Sequence, residues 1–221
     1  VWGGGKHSSI VDIIDYVEMQ SQGNAADFGD LTGVRHKFGA CSSTTRGVWG
    51  GGQNPSGRVN VIDYVTIATA GNATDFGDLV AVNVGVCATG NITRGVFAGG
   101  TSPSRVDVIQ YITIASAGNT TDFGDLLATN QNQGACSSSV RGVFGGGYTG
   151  SGTNVIQYIT IASTGNATDF GDLTVARDSL GSTSNDTRGI FGGGGEANQI
   201  DFITIASTGN ATDYGDLVNA V

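Results

Sequence analysis

The 221-residue chain has little of what most enzyme and nucleic-acid chemistry requires. It carries two histidines, two prolines, three cysteines and ten cationic side chains against nineteen acidic ones. Its cations form no basic patch, so nucleic acid is not an expected partner. Apolar runs fall well short of the roughly 18 residues that a membrane helix takes, so membrane insertion is not expected. No signal peptide is visible. His7 and His36 both lie in the first forty residues, and neither has zinc-ligand spacing or a nucleophile elbow beside it. With so few prolines, the 38 glycines do not read as disorder, because apolar residues recur between them in register.

What is present is repetition. The phrase Arg-Gly-Val-Phe-Gly-Gly-Gly at 141–147 returns as RGVWGGG at 46–52, RGVFAGG at 94–100 and RGIFGGG at 188–194, and the chain opens with VWGGG at 1–5. Its aromatics Trp2, Trp49, Phe97, Phe144 and Phe191 are spaced 47, 48, 47 and 47. A second phrase, GNATDFGDL at 165–173, has counterparts at 23–31, 71–79, 118–126 and 209–217. A unit of this size cannot bury a core alone, so neighbours must stack into one array.

Each unit reads as four strands. Small residues at 134–138 make the first, and Val143 to Gly147 the second. Asn154 to Ala162, β-branched and aromatic, is the strongest. Gly165-Asn166 reads as a two-residue hairpin turn into the strand Ala167 to Leu173. Short turns within units and longer crossings between them predict an all-β fold, a five-bladed β-propeller of units of about 47 residues. The units run approximately 1–31, 39–79, 85–126, 133–173 and 180–217, within a single domain over 1–221. The first unit lacks an opening strand. The expectation is that the polypeptide continues beyond at least one end. The termini should then lie side by side, with the unit 1–31 packed on 181–217. Phe97, Phe144, Phe191, Tyr111, Tyr158, Phe123 and Phe170, with Ile112, Ile159, Leu126 and Leu173, should be largely buried between blades.

Cys41, Cys87 and Cys136 hold one position in three successive units, with Thr183 in the next. Equivalent positions seldom approach as closely as a disulfide requires, so these are read as small buried apolar residues. Asn166, Asp169 and Asp172 are hard oxygen ligands repeated in every unit, but residues three apart on a strand face opposite sides. No metal is expected; the aspartates should bond backbone N–H groups or a repeat Arg. Arg46, Arg94, Arg141 and Arg188 should bond carbonyls or an Asp of a neighbouring strand. Asn72, Asn91, Asn119, Asn166, Asn185 and Asn210 match Asn-x-Ser/Thr mainly because the turn phrase contains it. Equivalent carboxylates in every unit give equivalent sites or none, unlike the one acid pair of a glycosidase, so no enzyme is expected. The segments that vary most follow the glycines, at 6–9, 53–58, 101–105, 148–153 and 195–198. On a rigid scaffold such loops are the natural recognition surface. The candidate binding residues are Lys6, His7, Gln53, Asn54, Arg58, Ser102, Arg105, Tyr148, Thr149, Glu196 and Asn198.

The strand ending in Gly99-Gly100, Tyr111 in the next strand, Phe123 in the fourth, and a linker Arg at Arg35 and Arg177 resemble the kelch repeat. Phe stands where kelch units carry Trp, and the Tyr111-to-Phe123 spacing is longer, which predicts long third and fourth strands. The phrases RGVFGGG at 141–147, IDYVTIA at 62–68 and GNATDFGDLT at 165–174 resemble those of the repetitive kelch-like proteins of marine bacteriophages. That resemblance covers all five units. It implies a non-enzymatic structural or receptor-recognition module of a virion, in a tail fibre or other external appendage. The implied location is the virion, extracellular. Its partners would be other virion proteins or further domains of the same chain, with a host-surface glycan as candidate ligand and no cofactor. The alternative is a multivalent lectin-like propeller outside any virion.

Overall fold

A computed structural model describes residues 1–220. It is all-β: five small antiparallel sheets set around an axis as the blades of a five-bladed β-propeller. The first sheet has three strands, β1 (Trp2–Lys6), β2 (Ile10–Tyr16) and β3 (Ala26–Asp30). The second has β4 (Gly39–Ser42), β5 (Arg46–Gly50), the short β6 (Gln53–Asn54), β7 (Gly57–Thr66) and β8 (Thr74–Asn83). The third has β9 (Cys87–Gly90), β10 (Arg94–Ala98), β11 (Val108–Thr113) and β12 (Thr121–Asp125). The fourth has β13 (Gly134–Ser137), β14 (Arg141–Gly145), β15 (Thr153–Thr160) and β16 (Thr168–Arg177). The fifth has β17 (Gly181–Ser184), β18 (Arg188–Gly192), β19 (Gln199–Thr204) and β20 (Thr212–Asp216). Each four-stranded sheet runs in chain order from axis to rim, and β4, β9, β13 and β17 are neighbours at the axis.

Both faces of a blade are covered, so consecutive residues of one strand serve two cores. Val143 seals the seam toward the fifth sheet and Phe144 the seam toward the third. Four apolar clusters fill the four seams between successive sheets. The expected core is present: Phe97, Phe144 and Phe191 are inaccessible, and Ile112, Ile159, Phe123, Phe170, Leu126 and Leu173 are buried, with Tyr111 and Tyr158 packed at the cluster edges. Within each sheet the strand-three and strand-four rings meet edge to face, as Tyr158 and Phe170 do at 5.9 Å. Such a pair adds about 0.5–1.5 kcal/mol beyond burial. The Arg141 guanidinium stacks 4.5 Å over Tyr158 and donates to the Ile205 carbonyl of the next sheet at 2.9 Å. Arg46 and Arg94 repeat both contacts.

Gly-Asn is not a hairpin turn. Strands β15 and β16 are joined by seven residues, and the tight turn closes earlier, where the Ser163 N–H donates to the Thr160 carbonyl. Gly165-Asn166-Ala167 then lies along the outer strand of the preceding sheet. The N–H groups of Gly165 and Ala167 donate to the Phe123 and Asp125 carbonyls, and Asn166 Oδ1 accepts from the Asp125 N–H. A Cβ on Gly124 would stand 2.5 Å from the backbone of Gly165. The residue types that signalled a turn thus serve a backbone-to-backbone clip between blades. In the third sheet the same clip takes up the long Tyr111-to-Phe123 spacing, since β11 and β12 are short, whereas β7, β8, β15 and β16 reach eight to ten residues as the spacing predicts.

The first and last sheets do not pack on one another as expected. Trp2 is 61% exposed and Tyr214 58%, whereas Phe144 and Phe170, their counterparts in the fourth sheet, are at 0% and 2%. Among the described residues, no clip bond joins Gly23 or Asn24 to β20. The reason is local: β1 has no inner strand paired to it, so the first sheet meets the axis differently from the rest.

At the axis the linkers between sheets are joined by their own backbone. The Gly85 N–H donates to the Lys37 carbonyl, Asn132 to Gly85 and Ser179 to Asn132, each at 2.9 Å. All four residues are left-handed, at φ 57° for Lys37, 70° for Gly85, 56° for Asn132 and 59° for Ser179.

Candidate functional site

The propeller presents two faces. One carries the loops after the second strands together with the inter-sheet linkers; the other carries the tight turns between first and second strands together with the Gly-Asn clips.

On the loop face the predicted residues form neighbouring pairs around the rim. Gln53 and His36 exchange backbone bonds at 2.9 and 3.1 Å. Burial, with Lys37 and Lys6 nearby, holds the His36 imidazole below its usual range. Asn54 Oδ1 accepts from the N–H groups of Ser56 and Gly57, which closes a small β-hairpin and leaves Arg58 exposed. The third and fourth sheets are joined here. Arg105 stacks 5.3 Å over Tyr148, Thr101 bonds Gln131, and Gln131 bridges to Tyr148. Ser102 and Thr149 each open a tight turn. Lys6 and His7 stand at the end of β1, and Glu196 and Asn198 in the fifth sheet's loop; among the described residues no side-chain bond joins either pair to the other candidates. The loops therefore offer a variable rim and do not converge on one pocket. A groove of about 400 Å³ opens on this face between the first and second sheets, lined by Thr32, Val34, Arg35, Asn54, Pro55 and Ser56.

A feature missed by sequence reasoning lies on the opposite face. Four tight turns, one from each of the last four sheets, meet around a depression of about 670 Å³. Ser, Thr and Asn make up most of its lining, joined by Asp186 and the exposed Ile92. One residue in each turn holds the backbone: Ser43, Asn91, Ser138 and Asn185 accept from the N–H groups two and three residues on. Others tie adjacent turns together. Asn91 Nδ2 donates to the Ser139 carbonyl at 3.0 Å, and the Ser139 N–H donates to Asp186 at 2.6 Å. The available signal was the recurrence of Ser, Thr and Asn just before each Arg-Gly, which in sequence reads as the end of a small-residue first strand.

The remaining candidates serve the scaffold. Asn72, Asn119, Asn166 and Asn210 each cap an N–H of the preceding sheet, at Asp30, Asp78, Asp125 and Asp172. Three of the repeat arginines bond carbonyls, and among the described residues none pairs with a DFGD aspartate. The cysteines behave as small apolar residues. Cys87 and Cys136 are buried and Cys41 half-buried, all three are free thiols, and burial pushes each up to about 12.

Each ion pair joins the linker after one sheet, or the end of its last strand, to the third strand of the next. Arg35 donates to Asp63 at 2.6 Å and to the Trp49 and Val61 carbonyls; Arg177 does the same with Asp201, Phe191 and Gln199. At the same places in the third and fourth sheets stand Asn83 with Gln110 and Asn130 with Gln157, all buried. Gln110 accepts from the Val80 N–H, and Gln157 from the Leu127 N–H.

No protein-family model and no curated protein matches this sequence. What the arrangement can do chemically is hydrogen-bond a polar ligand at its axis or rim.

Proposed function

We propose that the protein is a non-enzymatic structural or receptor-recognition module of a phage particle, displaying variable loops on a rigid propeller. The observation that carries this is a division of labour. The repeated aromatics, glycines and Gly-Asn asparagines are spent on seams and clips, while the loops that vary most between units gather on the loop face. Such a division suits a surface whose specificity changes while its frame does not. The kelch-like and phage-like character of the phrases supports the same reading, with a tail fibre or other external appendage as its place. The partners would be other virion proteins, and a host-surface glycan the ligand.

The test is proteomics of purified particles. The chain should remain with virions through density banding and high-salt washing. Recovery only in the soluble fraction would remove the virion assignment. The hydroxyl- and amide-lined axial depression favours a second reading, a multivalent lectin-like propeller outside a virion. A glycan array probed with the soluble chain would support that reading if binding fell when Asn91 and Asp186 were replaced by Ala.

A further inference from the structure

The first sheet turns one uncovered face away from the second. Trp2 lies there at 61% exposure, against 4% for its counterpart Trp49. Asp15 lies in the same register as Asp63, Gln110, Gln157 and Asp201, and it alone of the five is exposed.

In the four built seams, this register position is matched to the linker that precedes its sheet. The matching residue stands four past the leucine of the DFGDL phrase. Where the strand carries Asp63 or Asp201, the linker carries Arg35 or Arg177; where it carries Gln110 or Gln157, the linker carries Asn83 or Asn130. Charged and neutral partners are never mixed. The physical reason is that a carboxylate sealed in a seam needs a counter-charge, whereas an amide does not. Asp15 therefore specifies an arginine.

We propose that the uncovered face of the first sheet is a docking surface for a further repeat unit of the same phrase, one whose linker carries Arg at that position. Three built contacts define the fit. The arginine reaches Asp15 and the Trp2 and Ile13 carbonyls, as Arg35 reaches Asp63, Trp49 and Val61. Trp2 lies on the small end of the unit's second strand, as Phe97 lies on Gly50. Asn24 Oδ1 accepts an outer-strand N–H, as Asn72 does from Asp30. A second copy of this protein presenting its last sheet does not meet this specification, because the corresponding linker residue is Val221.

The experiment extends the full chain at its N-terminus with a copy of residues 134–189, which runs in phase into Val1. Both the extended and the unextended chain carry Trp49→Phe, a residue the other units use, so that Trp2 is the one indole in each. Acrylamide quenching of Trp2 should fall several-fold relative to the unextended chain, and the emission should shift to the blue. Replacing the copied Arg177 by Asn should lower the melting temperature in the Asp15 background. In an Asp15→Gln background the same replacement should raise it. Unchanged quenching of Trp2, or the same ranking of Arg and Asn in both backgrounds, would overturn the proposal. So would Trp2 protected in the unextended chain together with sedimentation as a head-to-tail oligomer, which would make a second copy the occupant.

Discussion

Arg35 closes a 2.6 Å ion pair on Asp63 with both side chains sealed from water. The two are 28 residues apart in the chain and belong to a linker and a third strand. Removing one partner strands a buried charge. Arg35→Asn alone should destabilise the protein by about 3–5 kcal/mol. Arg35→Asn with Asp63→Gln, which copies the neutral pairing of the next two sheets, should recover most of that loss in urea denaturation. A double variant no more stable than the single one would mean that the pairing is not exchangeable.

Phe144 and Trp2 hold the same position in different sheets, one sealed and one open. Phe144→Ala should cost about 3–5 kcal/mol through lost burial and a residual cavity. Trp2→Ala should stay within about 0.5 kcal/mol, as exposed substitutions usually do. Equal losses would show that the first sheet is covered in solution.

Gly124 and Gly215 give a matched pair for the clip. A Cβ on Gly124 meets the Gly165 backbone, whereas one on Gly215 meets nothing within 4 Å, and both residues have positive φ near 140–146°. Gly124→Ala should therefore destabilise clearly more than Gly215→Ala, whose effect is limited to the backbone term of about 1 kcal/mol. Thermal unfolding of the two variants side by side separates close approach from conformational preference.

The thiols should be silent in the folded state. Alkylation proceeds through the thiolate, and burial pushes Cys87 and Cys136 up to about 12. At pH 8 iodoacetamide should leave both unlabelled natively and label them in denaturant. Rapid native labelling would place the inner strands in contact with water.

Chelation should leave the melting temperature unchanged, because Asn166 is committed to the Asp125 N–H and among the described residues no three His, Cys, Asp or Glu side chains gather. A rise of several degrees with calcium, abolished by replacing Asp169 and Asp172, would make the DFGD segments ligands.

Much of this architecture was legible because each unit states the same phrase. Phe97, Phe144 and Phe191 recur at one phase, and a residue sealed in every unit can only lie between units. Gly165-Asn166 was legible as special backbone but not in its role, since a turn and a close approach call for the same residue types. The Arg35–Asp63 and Arg177–Asp201 pairs were hidden by distance along the chain and by Asn and Gln in the intervening sheets. The axial turns were hidden because a serine that caps a turn and one that faces a cavity look alike in sequence.

The left-handed linker residues have a consequence for change over time. Gly85 adopts its backbone without penalty and Asn132 at a small one, whereas Lys37 and Ser179 hold theirs at about 1–2 kcal/mol each. What secures these linkers to one another is amide and carbonyl, so the side chains take no part in the fastening. With Phe38 and Val86 they line a depression of about 380 Å³ on the loop face. Here, at the centre of the molecule, these four linker positions are open to change one at a time, while Phe38 and Val86 stay tied to the seams beneath them.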